Sequence, residues 1–140
     1  MKYRIAVLAV IVATFTLSLQ AEEEGRRLFE AKCSGCHLAQ KPTPAQRSGM
    51  VAPPAMGVMY HVKERYGERP EAIAFIVDYV LEPKREKAVC MERSIRRFGL
   101  MPSQKGVVSE AELEKIAAYM YDTFPPAGFR HPKMGGPAGR

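Results

Sequence analysis

Cys33-Ser34-Gly35-Cys36-His37 is the one stretch of this chain in which thiols and an imidazole are packed into five residues. Two thiols three residues apart lie on one helical turn, where both can bond to neighbouring vinyl groups of a flat macrocycle. An imidazole beside the second thiol can then turn toward a metal at the centre of the ring. This is the pattern of covalent c-type haem attachment. Three cysteines and three histidines placed at random in 140 residues would give such a pentamer about once in a thousand chains. Two other chemistries use paired cysteines. A thioredoxin-like dithiol needs a βαβ setting that the sequence does not supply, and a zinc site needs a second close pair, whereas Cys90, His61 and His131 are scattered. A single CxxCH implies one covalently bound haem c, with Cys33 and Cys36 as thioether donors and His37 as a ligand of the haem iron.

The elements that must position these groups read as helices. Glu22 to Glu24 place acids in a first turn, and Gly25, Phe29, Cys33 and Cys36 follow at helical steps, which predicts one helix face carrying all four. From Leu38 to Gly57, Pro42, Pro44, Pro53 and Pro54 with Gly49 and Gly57 break any period and predict a long loop. Pro70 to Leu81, apolar almost all round, predicts a buried helix, its β-branched residues leaving a strand as the alternative. Ala88, Met91, Ile95 and Phe98 recur at helical spacing. Ser109 with Glu112 is a capping-box pattern for a last helix with Leu113, Ile116, Ala117 and Met120 on its apolar face, stopped by Pro125-Pro126. The sequence shows no repeat and no hairpin signal.

The chain has 140 residues, 46% hydrophobic and 26% charged, with a net charge of +6. That composition suits one globular domain and excludes a disordered chain or a disulfide scaffold. Lys2 and Arg4, then an apolar run from Ile5 to Leu19 and a small residue at Ala21, read as an export signal over residues 1–21. The run falls short of a membrane-spanning helix, the alternative reading. The expected organisation is therefore a signal at 1–21, a haem domain at 22–124 and a Pro/Gly-rich tail at 125–140. An exported haem protein has no use for nucleic acid. Its positive charge gathers between Lys84 and Lys105, where seven basic residues face Glu86 and Glu92. Such a run is either an ordinary solvated face or a docking surface for a redox partner with an acidic face or for a membrane.

Beyond CSGCH, "GRRLF" before the motif, "APPAMG" after it, "FGLMPSQKG" further on and "SEAELEKIAAYMY" near the end make the chain resemble class I c-type cytochromes from about Gly25 to Phe124. The resemblance implies an all-α cytochrome c fold, helices wrapped around one haem. It implies that Gly25 and Phe29 of the first helix cross the last helix at Ile116 and Tyr119, and that the carbonyl of Pro53 or Pro54 orients His37. It also makes Met101, in the Met-Pro of "FGLMPSQKG", the distal iron ligand, with Met91, Met56 and Met59 as alternatives. His61 and His131 are expected at the surface, and Cys90 reads as a small buried residue, a free thiol or an intersubunit link.

The expected function is that of a periplasmic or otherwise extracytoplasmic monohaem carrier of single electrons between redox partners, and not an enzyme. Two alternatives stand beside it. One is an electron-transfer subunit of a larger oxidase or dehydrogenase complex, whether or not bound at a membrane. The other is a haem enzyme or gas sensor with an open distal site, for which Arg96 and Arg97 lie close before Met101.

Overall fold

The computed structural model describes residues 19–131. Of the expected export signal, residues 1–18 lie outside the described residues, as do 132–140 of the tail. Among the described residues there are helices and no strands, only an isolated bridge between Lys105 and Val108. In chain order they are α1 (19–32), α2 (Pro44–Gly49), α3 (Ala55–Arg65), α4 (Arg69–Leu81), a 3-10 turn (Arg85–Lys87), α5 (Glu92–Phe98) and α6 (Glu110–Thr123).

Helix α1 turns Glu23, Glu24 and Glu30 outward, where they pair with Arg26 and Arg27 one turn away. It turns Gly25, Leu28 and Phe29 inward. The helix stops before the cysteines, so one continuous helical face does not carry Gly25 through Cys36. The Phe29 carbonyl accepts from both the Cys33 and Ser34 amides, at 2.9 and 3.0 Å, while the Ser34 hydroxyl bonds the Glu30 carbonyl. That widened last turn, followed by Gly35, ends the α-helical ladder.

The predicted long loop is interrupted. Thr43 accepts from the Gln46 amide and Gln46 bonds back to Thr43, a capping box that with Pro44 nucleates α2. Ala55 then opens α3, an element the proline count concealed. Pro54 precedes its first turn, and Ala55, Met56, Met59 and Val62 form its buried stripe. Helix α4 buries only Ala72, Ile76 and Val77, a stripe rather than its whole circumference. The run from Ala88 to Phe98 is helical only from Glu92. Helix α6 keeps its predicted capping box, apolar face and stop.

Helix α6 is the common partner, packed against α3 and α4, and α1 crosses it at Gly25. A Cβ placed on Gly25 would stand 2.5 Å from the Lys115 carbonyl and 2.8 Å from the Tyr119 Cβ. Phe29, fully buried, lies one turn on, its ring centroid 5.7 Å from those of both Tyr119 and Phe124. Burial of such a ring is worth about 1.5–3 kcal/mol, and the glycine sets the approach that allows it. The expected crossing is present, with Lys115 and Tyr119 nearest to Gly25.

Candidate haem site

The CSGCH segment forms a tight turn at the end of α1. The Cys33 carbonyl accepts from the amides of Cys36 and His37 at 3.1 and 2.9 Å. Both thiols thus stay on one turn although α1 has ended. Cys33 is half-buried, and burial, reinforced by Cys36 and opposed by Lys32, pushes its thiol up to about 11. Cys36 is exposed.

The imidazole of His37 is fixed by the loop that follows. A backbone bond from the Ala55 amide to the Leu38 carbonyl, 2.9 Å, closes residues 38–55 into a ring and brings Pro53 back over the motif. The Pro53 carbonyl lies 2.8 Å from His37 Nδ1. A carbonyl only accepts, so Nδ1 carries the proton and Nε2 keeps its lone pair. Of the two prolines the sequence left open, it is Pro53 that touches the ring. Burial holds the His37 pKa below the ordinary imidazole value, and the bond to Pro53 opposes this without reversing it. The neutral ring is the form that binds a metal.

Met101 is half-buried in the extended segment after α5. Gly99, with φ of 78°, ends α5 in a conformation that favours glycine. The Ser103 hydroxyl donates to the Leu81 carbonyl at 2.6 Å and the Gln104 amide to the Val80 carbonyl at 3.0 Å, pinning the segment to the end of α4. Arg97 donates to the Arg47 carbonyl, tying α5 to α2 in the loop that holds Pro53. Among the described residues no hydrogen bond joins the His37 turn to Met101 directly; the tie runs through α2 and α5. Met56 and Met59 are buried in α3, and Met91 is half-buried ahead of α5.

Burial along the chain tests whether these residues suit a haem. Neither residues 30–54 nor residues 78–107 contain a buried side chain, and these are the two stretches that carry CSGCH and Met101. Apolar residues among them, such as Met50, Val89, Met91, Ile95 and Phe98, are half-buried, while Val51, Leu100 and Val107 are 63%, 39% and 65% exposed. A flat apolar macrocycle between the two stretches would give these side chains a common surface to cover, and two thiols with one neutral imidazole on a single turn fit the covalent attachment of a haem c. Among the described residues no cluster of three or more His, Cys, Asp or Glu is arranged to hold a bare metal ion.

His61 and His131 are half-buried rather than at the surface as expected. His61 and His131, scattered in the sequence, stand with ring centroids 4.6 Å apart. His61 is only 15% exposed in its side chain and pairs with Glu64. Only a fold-back of the chain beyond α6 brings the two rings together, which no local pattern signals. Cys90 is free and half-buried, and burial raises its thiol.

Helices without strands and a CxxCH turn whose histidine is oriented by a loop carbonyl define a c-type cytochrome domain. Residues 20–120 match the family described as cytochrome c oxidase, cbb3-type, subunit III, and the chain belongs to that family. An uncharacterized protein of Aquifex aeolicus (strain VF5) is 31% identical over 129 residues, covering 84% of each chain. No solved structure matches. The fold is the all-α cytochrome c fold, and its cofactor is one covalently bound haem c. Domains of this type carry electrons and are extracytoplasmic. Among the described residues no helix is long and apolar enough to cross a membrane.

Proposed function

We propose that this chain is a monohaem carrier of single electrons between redox partners in the periplasm, exported by residues 1–21, with the haem domain at 22–124 and a tail at 125–140. Cys33 and Cys36 hold the haem by thioether bonds, His37 is the proximal ligand and Met101 the distal one. The bond between His37 Nδ1 and the Pro53 carbonyl is the observation that carries this reading, because it leaves Nε2 free to ligate beside the two thiols. When bound, the haem supplies a one-electron Fe(III)/Fe(II) couple. The chain would hold His37 and Met101 on tethered segments, so that little need rearrange between oxidation states, and its half-buried apolar side chains would lower the dielectric around the haem.

Haem attached through two thioethers stays with the protein on acid-acetone extraction. The expected result is retained colour in the unaltered protein and none in Cys33→Ala/Cys36→Ala. Haem passing into the solvent from the unaltered protein would overturn the assignment. The family's description as an oxidase subunit favours a second reading, in which the chain passes electrons within a membrane oxidase complex rather than by diffusing.

A further inference from the structure

Beyond α6 the chain turns back onto α3. The Phe129 amide donates to the Pro126 carbonyl at 3.0 Å, with Gly128 at φ of 77° in the turn. Phe129 packs against the core and lies 6.0 Å from the Tyr60 ring. His131 stacks on Tyr60, centroids 4.7 Å apart and planes at 27°, and meets His61 edge-on at 4.6 Å and 65°. Two imidazoles are thus in contact across the junction between the returning segment and α3.

We propose that His61 and His131 form a proton-operated latch, which holds residues 125–131 on α3 while both rings are neutral and releases them when both are charged. Stacking on Tyr60 and packing of Phe129 supply the hold. Two cationic rings at this separation repel, and the repulsion falls on the contact that secures the end of the segment.

Several charged and titratable groups lie beside His61. From α3 come Tyr60, Glu64 and Arg65, just after it Tyr66, and from the returning segment His131. Asp78 of α4 and Glu86 and Lys87 of the 3-10 turn line the same groove, and Asp78 is engaged by Lys87 at 2.8 Å. Glu64, whose carboxylate is 3.3 Å from His61 Nδ1, favours the charged ring. Burial, then the neighbouring His131, outweigh it and hold the His61 pKa below the ordinary value. A base whose pKa is lowered in the latched form stabilises that form above its free pKa, and the stabilisation drains away as pH falls through that range. Acidification therefore opens the latch.

The test is amide hydrogen exchange of the segment containing Phe129 in the haem-loaded full-length protein, at about pH 8 and about pH 5, corrected for intrinsic exchange rates. Protection should fall about tenfold at the lower pH. His131→Phe keeps a ring on Tyr60 and removes the charge, so its protection should persist at both pH values. His61→Gln, which leaves His131 without a cationic neighbour, should persist likewise. Wild-type protection that does not change with pH, or the same tenfold loss in both variants, would overturn the latch.

Discussion

A histidine serves as an axial ligand only as the free base, and two influences of opposite sign act on His37. Burial disfavours its charged form, the Pro53 carbonyl favours it, and burial wins. The ring is therefore neutral at neutral pH with its proton on Nδ1, the tautomer that leaves Nε2 available. On the proposed distal side, a thioether raises the potential of a histidine-ligated haem and closes the sixth position to other ligands. Met101→Ala should abolish the weak long-wavelength absorption band of the oxidised protein, lower the reduction potential and admit carbon monoxide. Visible spectra and a redox titration measure all three. A band that survives the substitution transfers the role to another methionine, and Met91, half-buried just ahead of α5, is the first to substitute.

The crossing of α1 and α6 controls whether the CSGCH turn is presented at all, because α1 ends where the cysteines begin. Alanine is favoured over glycine inside a helix by about 1 kcal/mol. At Gly25 that gain is opposed by a Cβ 2.5 Å from the Lys115 carbonyl, a backbone atom that cannot swing aside. Overpacking of this kind costs about 1–3 kcal/mol, so Gly25→Ala should lower the stability of the haem-loaded protein by up to about 2 kcal/mol. Denaturant unfolding followed by far-ultraviolet circular dichroism reports the change, and a midpoint equal to or above wild type would show that α1 slides to accommodate the methyl. The same crossing seats Phe29 between Tyr119 and Phe124, so helix separation would also loosen the aromatic cluster.

Across the whole molecule, net charge is +6, and the stretch from Lys84 to Lys105 holds much of it. The fold neutralises part of that stretch. Lys84 pairs with Glu82, Lys87 with Asp78 and Glu82, and Arg85 with Glu92. Arg93 and Arg96 remain on the exposed side of α5, with Arg96 reaching Glu92 only at 3.9 Å. Arg97 is different, since it stacks on Phe98 and bonds the Arg47 carbonyl, so replacing it would disturb the tie between α5 and α2. If an acidic partner docks here, Arg93→Gln/Arg96→Gln should slow bimolecular electron transfer about tenfold at low salt and leave the visible spectrum unchanged. The wild-type rate should fall as salt rises, since the field of exposed charges decays over about 8 Å at physiological ionic strength. Stopped-flow kinetics with the native acceptor would show neither effect if the chain works as a fixed subunit of a complex.

Attachment chemistry is a matter of covalent spacing, which is why CSGCH was readable without a fold: two thiols and an imidazole within five residues stay together in almost any local conformation. The last helix was legible for a similar reason, since Ser109, Glu112 and the stripe from Leu113 to Met120 act within a few turns of one another. Helix α3 was not, because the prolines before it signal a break just where Pro54 precedes a helix start, and its stripe of Ala55, Met59 and Val62 acquires meaning only against α6. Which proline orients His37 was likewise beyond the sequence, since Pro53 and Pro54 are equivalent until the Ala55 to Leu38 bond closes the loop and aims one carbonyl at the ring. The same holds for His61 and His131, seventy positions apart in the chain and in ring contact in the fold. Local chemistry fixes what a few neighbouring residues can bind; chain reversal decides which distant residues share a surface, and only the packing of α1, α3 and α4 on α6 determines where the chain reverses.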